Sequence, residues 1–258
     1  SGTGGDGTGG DATGGSSGTG GSATGGSAGA CDPGSTATDW ATSCPTTATT
    51  CAAGTWTAWG SSSPENYPFR YETEHFAFYW PDGRSVTVQQ AQTAGQFLED
   101  VVWATYFGDP IYFPEIDCTL SSKRKTSIHI IESGLYGGCN NGRPGMWVGP
   151  GAMTDHWGLA HEFMHAVQCM NPGFADCGGG GCWIHESHAN WMPHQLAEYR
   201  GDVHCSEMLV NAPHVYYGSS RDRYCNWQFF EFLKDKHCYK AVHDMWSYTA
   251  APAGQRDP

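Results

Sequence analysis

Positive charge is scarce in this sequence. Thirteen Lys and Arg stand against 26 Asp and Glu, giving a net charge of −13 over 258 residues. The one basic run, Lys123-Arg124-Lys125, reads as a solvated turn ahead of a strand. Neutralisation of phosphates dominates nucleic-acid binding, so DNA and RNA are excluded as partners. No apolar run approaches the roughly 20 residues that a membrane-spanning helix needs. The first residues carry neither a basic nor an apolar stretch, so no signal peptide is present in this form. Cys-x-x-Cys is absent as well, despite eleven cysteines, and with it the usual pattern of a structural zinc finger.

What is present begins with a tether. Residues 1–30 are almost wholly Gly, Ser, Thr and Ala, with Asp6 and Asp11 their only charges. Such a stretch has nothing to bury and reads as a flexible linker. By analogy with the segment after the lipidated Cys of a bacterial lipoprotein, it suggests a lipid tether. Cysteines scattered without metal-binding pairs suggest an oxidising, extracellular or cell-surface compartment. Cys44 with Cys51, Cys177 with Cys182, and Cys205 with Cys225 are the local pairings to expect, and Cys169, Cys177 or Cys182 should brace the segments around the site. Because the number is odd, one thiol is free or pairs beyond Pro258, where the domain would then be truncated. Residues 31–63 form a Cys-containing N-terminal segment, and 64–258 are long enough for one domain with its own core.

His161-Glu162-Phe163-Met164-His165 decides most of the chemistry. On a helix, residues i and i+4 lie on one face with Cβ atoms roughly 5–6 Å apart, so both imidazoles can ligate one ion. Glu162 lies about 100° further round the helix, beside the ion, where it can act as general base. Leu159, Ala160, Phe163, Met164, Ala166 and Val167 make this helix apolar on most sides. It therefore belongs in a core, and two histidines buried there need partners.

Catalytic zinc usually takes three protein ligands and leaves one position open. Glu186 follows His165 after a glycine-rich turn (Gly178 to Gly181), and an αα-hairpin would return it over the first helix. Asn190, one turn on, would face the same way and could hold an imidazole N–H. His185 and His188 flank Glu186 and compete for the third place, as does Asp176 in an aspzincin-like arrangement. A metzincin is excluded, because Gln168 and Asn171 occupy the Gly and final His positions of HExxHxxGxxH. A ferritin-like di-iron site is excluded too, because Ala189 stands where its second Glu-x-x-His would need His.

With HExxH on one helix and Glu186 on the next, the chain resembles the gluzincin metallopeptidases of the thermolysin-like clan. It is also similar to secreted bacterial zincin-like domains with a Trp-x-x-Glu-x-x-Ala-x-Trp element, here Trp183 to Trp191. The resemblance spans roughly Tyr71 to Tyr248. It implies Zn2+ held by His161, His165 and Glu186, Glu162 as catalytic base, Asn190 behind a ligand, and a protein or peptide substrate. The expected activity is that of a secreted or surface-tethered zinc metalloprotease, a hydrolase of peptide bonds. Tyr216, Tyr217, Tyr224, His204 and His214 are candidates to stabilise the oxyanion. The alternative is a zincin-fold binding or adhesion domain with a structural metal and a recognition surface built from its 11 Trp and 12 Tyr.

The expected fold is α+β and zincin-like: a small mixed sheet with a backing helix, then a helical half carrying the HExxH helix and the Glu-ligand helix. Strands are predicted at 75–80 and 126–131, and a short one at 146–148 as the edge above the site. Helices are predicted over 88–107, from an N-cap at Thr154 to about 170, over 183–200, 224–236 and 239–248. Ala91, Ala94, Phe97, Leu98, Val101 and Val102 should be the buried stripe of the first. Trp227, Phe229, Phe230, Phe232 and Leu233 should pack inward from the last pair.

Overall fold

Alternation of apolar and small residues in Phe76–Tyr79, with full burial on both faces, marks an interior strand. A computed structural model describes residues 54–59, 67–114, 123–171, 183–203, 205–215, 219 and 222–247. The tether of residues 1–30 and the expected pairs Cys44–Cys51 and Cys177–Cys182 lie outside them.

Five strands form one mixed sheet in the order β1-β2-β3-β5-β4. They are β1 (Phe69–Glu72), β2 (Phe76–Tyr79), β3 (Thr126–Ile130), β4 (Leu135–Asn140) and β5 (Arg143–Val148). β2, β3 and β5 run parallel, with β1 and β4 antiparallel at the two edges. Helix α1 (Val88–Phe97) passes through a π-helical stretch (Leu98–Trp103) into α2 (Ala104–Phe107). Then come α3 (His156–Met170), α4 (Trp183–Trp191), α5 (Glu207–Asn211) and α6 (Gln228–Ser247). The protein is thus α+β, with a mixed sheet followed by helices. No described helix is long and apolar enough to cross a membrane.

Several local expectations need correcting. The edge strand is β4, and β5 lies inside it. Gly137 and Gly138 make β4 read as a loop. Its hairpin was nevertheless encoded: Asn141 and Gly142 both have positive φ, 52° and 72°, the Asn-Gly combination that a tight two-residue hairpin turn requires. The cap of α3 is Asp155, whose carboxylate accepts from the Gly158 N–H at 2.8 Å. Thr154 instead closes the preceding 3-10 turn. α4 stops at Trp191 because Pro193 ends the helix and a short 3-10 turn follows.

α1 starts on a capping box in which Thr87 and Gln90 each bond the other's backbone N–H. Its buried stripe holds Ala91, Ala94, Phe97, Leu98 and Val102, but Val101 is 36% exposed. The wide π turn buries residues five apart, Leu98 and Trp103, and so rotates Val101 outward. In α6, non-helical backbone at Cys238 separates two helical halves, close to the expected break. Trp227 and Phe230 are buried there, whereas Phe229 and Phe232 face outward.

The main core lies between the sheet and α3, with Phe76, Phe78, Ile128, Ile130 and Met146 meeting Phe163 and its neighbours. The other face of the sheet carries a row of stacked rings. His129 lies between Tyr79 at 5.4 Å and Trp147 at 5.5 Å. It is fully buried, and desolvation lowers its pKa to about 4. The unfolded chain therefore takes up this proton first as pH falls. Its contribution is complete above about pH 6.5 and is lost between there and about pH 4. The expected loss by pH 4.5 is about 2–3 kcal/mol of unfolding free energy. Urea titrations at pH 7 and 4.5 should show a smaller drop for His129→Phe than for the parent; equal drops would refute the assignment.

Candidate metal centre

The sequence of α3 puts His161 and His165 one turn apart, and the structure brings Glu186 of α4 to both. His165 Nε2 stands 3.1 Å from His161 Nε2 and 3.2 Å from Glu186 Oε2. His161 Nε2 is 3.3 Å from the same oxygen. Three ligand-type atoms thus form a nearly equilateral triangle. Zinc at 2.0–2.1 Å from each atom of a tetrahedron separates them by about 3.3–3.4 Å, so the residues present fit that ion.

Burial and mutual charge set the protonation of the cluster. Burial opposes ionisation of Glu186, but hydrogen bonds from His161 and His165 hold its carboxyl far below the usual carboxylate range. Burial likewise opposes a charged His165, and Glu186 outweighs it, so the imidazole pKa is raised. Glu162 is 6% exposed and is pushed up by desolvation, against the pull of His161 and His165. One of its carboxylate oxygens lies within 4.8 Å of the histidine ligand atoms, beside the triangle. Glu162 is thus a buried fourth group of metal-ligating type beside the triangle, next to the two imidazoles on the same helix.

Strand β4 packs against Glu162 from the other side. The Gly137 backbone favours the ionised Glu162 carboxylate, in part offsetting its burial. A Cβ at Gly137 would sit 1.9 Å from the Glu162 carbonyl oxygen, so only glycine lets the strand approach α3 this closely. The Cys139–Cys169 disulfide fastens the same strand to the last turn of α3. A bridge from Cys169, Cys177 or Cys182 was expected to fix the approach of the two site helices; Cys169 instead joins the first of them to the edge strand, and Cys177 and Cys182 lie outside the described residues. The expected Cys205–Cys225 bridge is present.

Asn190 does not reach either histidine. It is 3% exposed and donates to the Tyr224 carbonyl at 2.7 Å, while Ser187 donates to the Arg223 carbonyl at 2.5 Å. α4 thus carries Glu186 and also fixes the backbone of Arg223-Tyr224. The side chain behind His165 is Gln168, at 2.8 Å from Nδ1. Its signal in the sequence was the i+3 spacing on the same helix, where it had been weighed only as a departure from the metzincin pattern.

Of the two described oxyanion candidates, Tyr224 and His214, Tyr224 is the one near the triangle. Its ring centroid lies 6.2 Å from that of His161. Burial and the Glu186 carboxylate raise its pKa, keeping the phenol protonated as a donor. Arg223 donates to its hydroxyl at 3.2 Å. His214 is exposed; His204, Tyr216 and Tyr217 lie outside the described residues, as does Asp176. His188 is buried among Phe113, Trp191, Phe230 and Trp246. His185 packs edge-on against Trp246 at 4.9 Å. Neither joins the triangle.

A second grouping, Glu74, His75 and Glu99, was not anticipated. It closes on itself: the His75 N–H donates to Glu99 Oε2 at 3.1 Å, its ring bonds the other oxygen, and Trp103 stacks on the ring at 3.7 Å. It ties β2 to the π turn.

Residues 40–258 match a family described as a family of unknown function, DUF6055, and the chain belongs to it. No curated protein matches the chain.

Proposed function

We propose that the protein is a zinc-dependent peptidase of gluzincin type, built on a zincin-like arrangement of sheet and helices. The observation that carries this reading is the triangle of His161, His165 and Glu186 atoms with the Glu162 carboxylate beside it. Zinc in such a site lowers the pKa of a water molecule and polarises a carbonyl. Glu162, desolvated beside β4, accepts a proton from the attacking water and passes it to the leaving amine. The Tyr224 hydroxyl, braced by Arg223, donates to the oxygen on which negative charge develops. A purely structural site has no use for such a base.

One feature supports a peptide as substrate. β4 is an edge of the sheet, and an extended peptide can add to a free edge through backbone hydrogen bonds. That edge passes directly over Glu162. The Cys139–Cys169 and Cys205–Cys225 bridges support an extracellular or surface-tethered setting. Six of the 11 tryptophans are withdrawn from the competing idea of an aromatic recognition surface. Trp56, Trp80, Trp103, Trp191, Trp227 and Trp246 are all buried and serve the core.

Elemental analysis of the purified protein should give zinc near one equivalent, and incubation with a mixed peptide pool should yield new termini that disappear on chelation. Absence of bound metal would end the zinc reading. Bound metal without cleavage of any peptide would instead favour a binding domain with a structural ion.

A further inference from the structure

Gln168 is 3% exposed and lies between the two helices that supply the triangle. Its Nε2 is 2.9 Å from the His185 carbonyl oxygen and 3.0 Å from His188 Nδ1. Its Oε1 is 2.8 Å from His165 Nδ1. The orientation of this amide follows from one group that has no choice. A backbone carbonyl can only accept, so the atom facing His185 must be the NH2. The opposite atom, facing His165, is then the oxygen, which also can only accept. His165 Nδ1 must therefore carry hydrogen, so that when Nε2 gives up the hydrogen it shares with Glu186 its lone pair is directed at the triangle. By the same logic His188 Nδ1 accepts, and its hydrogen sits on Nε2.

We infer that Gln168 is the positioning residue of this centre: it fixes the tautomer of His165 and, through the His185 carbonyl, the backbone next to Glu186. This inference rests on the zinc-site reading above. One side chain thereby sets the relation between ligands on separate helices. An amide does this without placing a second negative charge behind the imidazole, as a carboxylate would. Asn190, which the spacing had nominated for the task, is engaged at Tyr224.

The substitutions Gln168→Met and Gln168→Glu separate hydrogen bonding from bulk. Met keeps length but neither donates nor accepts. Glu keeps the acceptor toward His165, yet turns a carboxylate oxygen toward the His185 carbonyl. Zinc affinity, measured by chelator competition, should fall about 10–100-fold in Gln168→Met, with far-UV dichroism unchanged. Gln168→Glu should also bind more weakly than the parent. Nitrogen-15 NMR of the unaltered, metal-free protein at pH 9 should show His165 protonated on Nδ1, and this measurement requires no variant to fold. A His165 ring with no hydrogen on Nδ1, or zinc affinity in Gln168→Met within twofold of the parent, would overturn the assignment. If the parent bound no zinc, the functional reading would fail, while the NMR result would still decide the role of Gln168.

Discussion

Glu162→Gln should abolish peptide hydrolysis while zinc stays near one equivalent per chain. The substitution keeps the size of the side chain and leaves the backbone approach of Gly137 to residue 162 untouched, so the contact between β4 and α3 survives. What it removes is the ability to take a proton. Loss of a general base alone lowers turnover by about 10²–10⁴-fold. The effect should reach or exceed the upper end, because the same carboxylate serves both the attacking water and the leaving amine. Single-turnover kinetics on a cleaved peptide, paired with metal analysis of the same sample, measure both quantities. Hydrolysis at the parental rate would mean that the chemistry does not pass through Glu162.

Glu186→Ala should strip the centre of metal. His161 and His165 would remain, but two imidazoles from one helix leave a tetrahedral ion half-supported by the protein. The loss should exceed the about 10–100-fold that follows removal of a group behind a ligand. His161→Ala should behave alike. His185→Ala is the informative control, since its ring packs on Trp246 and is not one of the three triangle groups, so that protein should still hold zinc. Should Glu186→Ala retain full zinc affinity while His185→Ala loses it, the third ligand has been misassigned.

The centre was legible where chemistry depends on short spacing. HExxH fixes two imidazoles and a base by helix geometry alone, and an αα-hairpin is the short route that returns Glu186 to them. The partner of His165 was not legible. Asn190 and Gln168 are both amides at helical spacing from a ligand, and only the packing of α3 against α4 decides which one faces an imidazole. Strands show the same division. β2 and β3 are dense in β-branched or aromatic residues and stand out, whereas β4 is strand by pairing, with glycines where it passes α3. Tyr224 was one aromatic among several because its place depends on Asn190 and Ser187 holding distant backbone carbonyls. The outward turn of Phe229 and Phe232 was hidden for a related reason: an aromatic-rich helix does not announce which side it buries.

The contact at Gly137 has a consequence for where a chain would be cut. Strand and helix backbones touch there with no side chain between them, so the distance from the base to the sheet edge has no rotamer to vary it. The edge then acts as a ruler. A peptide pairing with β4 can shift only in whole residues, each step moving its carbonyls by about 3.3 Å and turning every side chain to the opposite face. Cleavage should therefore fall at discrete registers, with the side chains on alternate positions of the substrate choosing among them.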